Sequence, residues 1–197
     1  MNSLFISLSI FAYLLGSLSF GHLITKIKKI DITKIGSGSP TATNVSRALG
    51  WRWGLLSGGL DILKAIIPTF LALNYLKNDW QIIVCAILST LGHIFPLFFK
   101  FQGGRGASTF FGASIVLTGP KFFLSLFSIW ILIFLITRFA SLTNLIFPWL
   151  FSIFLYFYFP FSYFIFGITE AILITFALRY NIERLLQGKE PKTQLQF

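Results

Sequence analysis

Residues 3–24 read SLFISLSIFAYLLGSLSFGHLI, and this apolar stretch without a charged residue decides the fold class. A helix needs roughly 20 apolar residues to cross the hydrocarbon core of a bilayer. Lys26, Lys28 and Lys29 follow the stretch at once, and no positive charge precedes it. Because basic residues collect on the inner side of a membrane, we predict a spanning helix whose N-terminus lies outside. A cleaved signal peptide is disfavoured, since the flanking charges are reversed and no small-residue cleavage pattern is evident.

The composition of the whole chain agrees with a membrane protein. Of the 197 residues, 55% are hydrophobic and only 11% are charged, whereas soluble domains carry about 25% charged residues. The net charge of +10 suits anionic lipid headgroups or phosphorylated substrates. Nucleic acid is not expected as a partner, because the basic residues lie at the ends of apolar runs. Cys85 is the only cysteine, and no Cys/His cluster has the spacing of a metal site.

Six further apolar runs follow the first, at about 53–76, 81–99, 107–118, 121–137, 144–159 and 161–178. Run 107–118 is too short to span alone without tilt or local thinning of the bilayer. The runs predict an all-α, polytopic membrane protein with about seven transmembrane helices in a single integral membrane domain, residues 1–197. When seven spans alternate, thirteen of the sixteen basic residues lie inside, which places the C-terminus in the cytoplasm.

Two polar segments with glycines fall on the predicted inner face. Residues 36–47, GSGSPTATNVSR, combine glycines, hydroxyls and Arg47 before a short helical pattern. Residues 102–106, QGGRG, place Arg105 at the start of the fourth span, where the helix dipole favours anions. Either segment alone is compatible with an ordinary loop or a tight helix–helix turn. Together they predict a cradle for a phosphate group, although no P-loop motif is present.

A third inner segment and three buried polar residues complete the candidate chemistry. Residues 179–184, RYNIER, leave the last span and are also compatible with an amphipathic helix on the headgroups. Asp61 and Lys64 are three residues apart within a span, so we predict a structural ion pair that faces the bundle interior. His93 lies near the inner end of the third span, either as a packing residue or as a catalytic one.

The order and spacing of these segments resemble the bacterial acyl-phosphate:glycerol-3-phosphate acyltransferase (PlsY) family over nearly the whole chain. The similarity rests on residues 11–17, Gly36-Ser37-Gly38, Ala42-Thr43-Asn44-Val45-x-Arg47, Asp61-x-x-Lys64, Gly92-His93-x-Phe95-Pro96, Gly103-Gly104-Arg105-Gly106, Ser141-Leu142 and residues 181–186.

The resemblance implies transfer of a fatty acyl group from acyl phosphate to the 1-hydroxyl of glycerol 3-phosphate, giving lysophosphatidic acid and phosphate for phospholipid synthesis. It implies a bacterial cytoplasmic (inner) membrane location, an active site that faces the cytoplasm, and no cofactor or metal. The oligomeric state stays open. The expected catalytic residues are Asn181, Arg105 and His93. The expected phosphate-binding residues are Ser37, Gly38, Asn44, Arg47, Gly103, Gly104, Arg105 and Arg179.

The chain departs from the family pattern at Ser39, Thr41, Gln102, Arg105, Asn144 and Leu178. The family usually has lysine at the positions of Gln102 and Arg105, and histidine at the position of Leu178. These changes keep open a catalytically impaired relative that binds phosphorylated lipid precursors. A transporter for phosphorylated metabolites is a second alternative, because it could also use the basic loops of the inner face.

Overall fold

The computed structural model describes residues 3–193, and within that range the regular structure is entirely helical. The helices are α1 (Ser3–Gly16), α2 (Phe20–Ile27), α3 (Ala42–Leu49), α4 (Trp51–Tyr75), α5 (Asp79–Ile94), α6 (Ala107–Thr118), α7 (Pro120–Thr137), α8 (Ala140–Tyr158), α9 (Phe161–Ala177) and α10 (Arg179–Leu186). Short 3-10 turns cover Ile32–Lys34 and Leu97–Phe99. The two ends of the predicted domain 1–197, and with them the predicted sides of the N-terminus and the C-terminus, lie outside the described residues.

Every predicted apolar run is helical, with run 3–24 divided between α1 and α2, so the all-α membrane fold is confirmed. Five segments are long and apolar enough to cross a bilayer: Ser3–Ile27, Trp51–Tyr75, Asp79–Phe99, Pro120–Thr137 and Ala140–Tyr158. Helices α9 and α10 meet the same criteria only as a pair, which is bent by 63° at the break and adds a sixth segment if the two helices form one span. Helix α6 has 12 residues and is too short to cross alone. Seven spans require α6 to cross the bilayer as well, and this crossing stays a prediction.

The first span contains a helix interruption that the sequence pattern did not indicate. Helix α1 ends at Gly16 and α2 begins at Phe20, so the carbonyl of Leu18 is free of the helical ladder. Lys64 of α4 fills this gap by donating from Nζ to the Leu18 oxygen at 2.6 Å. The same ammonium lies 2.8 Å from Asp61 Oδ1, so the predicted ion pair is present. A contact between distant helices thus stabilises the broken first span.

Glycines allow α1 and α5 to cross closely. A Cβ on Gly16 would collide with the Ser89 carbonyl, and a Cβ on Gly92 would collide with the Tyr13 carbonyl. Small residues commonly permit such close approach between membrane helices. This crossing fixes the end of α5, which carries His93.

The core formed by α6, α7, α8 and α9 is aromatic. Phe110 of α6 packs edge-on against Phe151 of α8 at 5.4 Å between ring centroids and stacks on Phe166 of α9 at 6.2 Å. Phe147 of α8 and Phe123 of α7 join the same buried cluster. These contacts hold α6, α8 and α9 together, so that the ends of these helices assemble at one end of the bundle.

Candidate functional site

The candidate site is a small cavity of about 80 Å³ at the end of the bundle where α5 and α9 end and α6 and α8 begin. It brings together side chains from all three polar segments identified in the sequence. The polar and charged residues that line it are Ser37, Thr41, Thr43, Arg47, Asp61, His93, Arg105, Ser108, Ser141, Asn144, Asn181 and Glu190.

The first polar segment delivers Ser37 and Arg47 to the cavity through a braced loop. The fully buried Asn44 amide donates to the carbonyls of Ile35 and Ser39 at 2.8 and 3.0 Å. Its Oδ1 accepts the backbone N–H of Ser37 at 3.3 Å. Gly36 and Gly38 adopt positive φ angles of 51° and 68°, which glycine tolerates best.

Two predicted phosphate ligands in this loop have other contacts. The Asn44 side chain is engaged in bracing the loop, and the N–H of Gly38 donates to the Ile35 carbonyl. Neither residue lines the cavity, whereas Ser37 and Arg47 do. Phosphate binding by Gly38 and Asn44 therefore stays a prediction, and the structure gives them a supporting position instead.

The second polar segment wraps around His93. The N–H of Gly104 donates to the His93 carbonyl at 3.1 Å, and a Cβ on Gly104 would collide with the imidazole. A Cβ on Gly103 would collide with the His93 carbonyl. These glycines let the chain turn closely enough to bring Arg105 into the cavity, although they do not line it themselves.

Arg105 is the cation buried deepest among those from the loops. One Nη donates to the Ala177 carbonyl, and Nε is buried without a hydrogen-bond partner in the described part of the chain. Burial, followed by the nearby charges of Arg184 and Arg179, lowers the pKa of Arg105 to about 10. The guanidinium is still protonated at neutral pH, and its free Nε is positioned to donate to a ligand.

The third polar segment forms α10, which carries Asn181 into the cavity. Asn181 Nδ2 donates to Glu190 Oε1 at 2.8 Å, while its Oδ1 is buried without a partner among residues 3–193. Arg179 lies elsewhere: its guanidinium is 4.5 Å from the ring centroids of Phe176 and Tyr180 and donates to the Phe176 carbonyl. The predicted phosphate contact of Arg179 is therefore not placed in this cavity and stays a prediction.

His93 and Asp61 form the floor of the cavity. The His93 side chain is buried, and its Nδ1 lies 3.6 Å from Asp61 Oδ1. Because Asp61 also pairs with Lys64, the imidazole borders a buried ion pair. A negative group of this kind orients an adjacent imidazole, as in many histidine-containing sites.

Sequence reasoning missed Glu190, whose carboxylate is among the lining groups. It follows the end of α10 in a charged tail, where no periodic pattern indicates a return toward the bundle. Burial alone would raise the pKa of this carboxyl, but hydrogen bonds from Asn181 and Arg184 outweigh burial and lower it below its ordinary value. Glu190 is therefore ionised at neutral pH.

The departures from the family pattern divide into those at the cavity and those away from it. Four of the six, Thr41, Arg105, Asn144 and Leu178, line the cavity. The Ser39 side chain is buried outside it and Gln102 is exposed. Asn144 also accepts a hydrogen bond from the Trp130 indole at 2.9 Å, which ties the cavity wall to α7.

The cavity combines two guanidinium groups with hydroxyls and an amide, beside the carboxylates of Asp61 and Glu190. Arg47 and Arg105, hydroxyls and the Asn181 amide surround one small space, and guanidinium groups make bidentate contacts with phosphate oxygens. Within residues 3–193, no three His, Cys, Asp or Glu side chains are grouped as a metal site would require.

Comparisons with known proteins agree with this chemistry. Residues 6–188 match a family model described as glycerol-3-phosphate acyltransferase. A glycerol-3-phosphate acyltransferase from Aquifex aeolicus is 40% identical over 194 residues, covering 96% of this chain and 98% of that protein. A Wolbachia pipientis protein of the same name is 37% identical over 184 residues, covering 93% and 95%.

Two solved structures match the fold. Both are crystal structures of PlsY, an integral membrane glycerol 3-phosphate acyltransferase. The glycerol 3-phosphate form gives a TM-score of 0.92 at 38% identity and covers 96% of each chain. The lysophosphatidic acid form gives a TM-score of 0.89 at 39% identity and covers 95% of this chain and 94% of the other.

Proposed function

Because the chain belongs to the glycerol-3-phosphate acyltransferase family, we propose that its anion cavity joins an acyl phosphate to glycerol 3-phosphate. The chain is an integral membrane enzyme that acylates glycerol 3-phosphate and forms lysophosphatidic acid. The identity of the donor, the choice of the sn-1 hydroxyl and the roles of single residues are the parts that we propose.

One observation carries the proposal: residues from all three polar segments line a single cavity. Arg47 follows the first loop, Arg105 precedes α6, and Asn181 lies on α10, yet all three reach the same space. Both proposed substrates carry a phosphate group, and the resulting repulsion must be offset for the two to meet. Two guanidinium groups at one site supply the required positive charge.

The position of the cavity suits a donor with a long apolar tail. It lies at the ends of apolar helices, where a phosphate group can meet polar loops while an acyl chain stays among helices or lipid. An acyl phosphate fits this boundary because its reactive anhydride is next to its charge. We place this boundary at the inner face of the bacterial cytoplasmic membrane, since most basic residues follow the positive-inside pattern there.

The proposed reaction is a direct acyl transfer. The 1-hydroxyl oxygen of glycerol 3-phosphate attacks the acyl carbonyl carbon, an ester bond forms, and the bond from that carbon to the phosphate oxygen breaks. The hydroxyl proton passes to an oxygen of the departing phosphate. Holding the hydroxyl and the carbonyl in contact supplies much of the rate enhancement, because a bimolecular encounter becomes effectively intramolecular.

The residues divide this work by position. Arg47 and Ser37 line the cavity on the side of the first loop, and we assign them to one phosphate group. We assign Arg105 to the charge that develops on the carbonyl and the leaving phosphate. Asn181 has a buried Oδ1 without a partner among residues 3–193, and this oxygen is able to accept a hydrogen bond from a substrate hydroxyl and so orient it. His93 borders the reacting groups and completes the floor.

The test uses purified protein in lipidic medium with glycerol 3-phosphate and either acyl phosphate or an acyl thioester. We expect phosphate release and lysophosphatidic acid with acyl phosphate only. Arg105→Ala should lower kcat roughly a hundredfold, the usual effect of losing one stabilising donor. Asn181→Ala should lower it by roughly the same factor, because the substrate hydroxyl is no longer oriented. The matched controls are Arg52→Ala and Asn74→Ala, whose exposed side chains do not line the cavity.

Each alternative has its own outcome in this assay. Equal turnover with an acyl thioester would reject the proposed donor specificity. Flux of glycerol 3-phosphate across vesicles without product would indicate a transporter. Binding without product would indicate an impaired relative. Near-normal turnover in either cavity variant would remove that residue from the mechanism.

A further inference from the structure

The chain beyond α10 returns across the cavity as a short strap, defined here as residues 188–193. Gly188 turns the chain with a φ of 67°. The N–H groups of Lys189 and Glu190 then donate to the Arg184 carbonyl at 2.8 and 3.1 Å, and the N–H of Thr193 donates to the Arg138 carbonyl at 2.9 Å. The strap is therefore fixed at both ends by backbone hydrogen bonds.

The strap places one carboxylate among the cations of the cavity. The Glu190 side chain is only 5% exposed, and its oxygens accept from Asn181 Nδ2 at 2.8 Å and Arg184 Nε at 2.7 Å. Arg47 donates to the next residue of the strap, at the Pro191 carbonyl, at 3.3 Å. The groups that Glu190 and Pro191 engage include Asn181 and Arg47, which the proposed function assigns to substrate.

The size of the cavity is a second, independent observation. Its volume of about 80 Å³ is measured with Glu190 and Pro191 as part of the wall. Pockets that bind small molecules usually measure roughly 300–1,000 Å³. Two phosphorylated substrates therefore need more room than this arrangement provides, and the strap, which follows the last helix, forms one wall of it.

We propose that Glu190 is an internal counter-anion, whose place among Arg47, Asn181 and Arg184 is taken by a substrate phosphate when the strap moves aside. Glu190 is then a determinant of affinity and specificity in the reaction. This inference rests on the proposed function, because it assigns the same cavity to substrate phosphate.

Replacement of the Glu190 carboxylate by a ligand is favourable only when the ligand has more charge or more acceptor oxygens than a carboxylate. A phosphate dianion has three terminal oxygens and makes stronger charge-assisted hydrogen bonds with guanidinium groups than a single carboxylate does. A monoanion such as acetate has no such advantage over Glu190. The internal carboxylate thus makes the site selective for phosphate groups.

Hydrogen–deuterium exchange of the C-terminal peptide tests the movement of the strap directly. The probes are glycerol 3-phosphate, inorganic phosphate and acetate, each added to the wild-type protein without an acyl donor. We expect the two phosphates to speed exchange of the Lys189, Glu190 and Thr193 amides, and acetate to leave it unchanged. Unchanged or slower exchange at saturating phosphate would overturn the proposal.

A substitution tests the role of the charge. We expect Glu190→Gln to lower the KM for glycerol 3-phosphate and the Kd for inorganic phosphate by roughly threefold or more, because a charged competitor is removed. Glu183→Gln on exposed α10 surface is the matched control and should change neither. If Glu190→Gln leaves both constants unchanged or raises them, Glu190 is not a counter-anion.

The exchange and binding measurements need no turnover, so they separate this inference from the proposed reaction. Strap release by phosphate without product formation would support the inference and reject the reaction. Product formation with a strap that does not move would support the reaction and reject the inference.

Discussion

The Asp61 carboxylate lies 3.6 Å from Nδ1 of His93 and 2.8 Å from Nζ of Lys64, so one buried acid joins the cavity floor to an ion pair inside the bundle. The Lys64 ammonium in turn holds the free carbonyl of Leu18 in the broken first span. The cavity floor and the helix break are therefore linked by one chain of buried polar and charged contacts, which leads to the first prediction.

Asp61→Asn should strongly destabilise the protein, because it leaves the Lys64 ammonium buried without its counter-charge. Breaking a buried pair by removing one partner costs about 3–5 kcal/mol. The melting temperature in detergent is the measurement. Adding Lys64→Met to the same protein should recover part of the loss, since no isolated charge remains. A double variant no more stable than Asp61→Asn would contradict this explanation.

Gly104→Ala should lower turnover while the protein stays folded. The added methyl group would collide with the His93 imidazole, and the ring must shift from its present position. Displacement of a positioned group by about 1 Å can cost roughly a hundredfold in rate. The control is Gly59→Ala on α4, where a Cβ meets open space. Equal turnover in the two variants would show that the position of His93 is unimportant.

The sequence predicted the helices well because the apolar character of a segment is set by its own residues. Runs 53–76 and 161–178 correspond to α4 and α9 within two residues at each end. The convergence of the three polar segments was also predictable, since alternating spans bring them to the same face. The break at residues 17–19 was not, because it depends on Lys64, which lies far away in the sequence.

The roles expected of single site residues also depend on contacts that are distant in the sequence. Asn44 and Arg179 have residue types suited to phosphate, yet one braces its own loop and the other packs on Phe176 and Tyr180. Glu190 was missed because its position depends on how the strap folds back. Which side chain of a polar segment reaches the cavity is decided by tertiary packing, and composition carries little information about it.

Trp130→Phe should destabilise the protein by about 1 kcal/mol, the usual net value of one hydrogen bond. The indole donates to Asn144 Oδ1, and phenylalanine keeps the stacking on Phe127 while it removes the donor. The measurement is again the melting temperature in detergent. Trp80→Phe is the control, since Trp80 is exposed at the start of α5. Equal melting temperatures for both variants would show that the Trp130–Asn144 bond contributes nothing.

Arg105→Lys should move the alkaline loss of activity to lower pH. The charge of a basic group is present below its pKa and disappears as the pH rises through it. Burial lowers the pKa of Arg105 well below its ordinary value, to about 10, so the wild-type site should lose affinity for phosphate as the pH approaches 10. The pKa of a lysine begins from roughly 10.4 and the same burial lowers it further, so the charge of Lys at this position is lost closer to neutral pH.

The measurement is kcat/KM for glycerol 3-phosphate as a function of pH, with Arg52→Lys on the exposed surface as the control. An alkaline limb that coincides in wild type, Arg105→Lys and the control would show that the charge at position 105 does not limit the reaction.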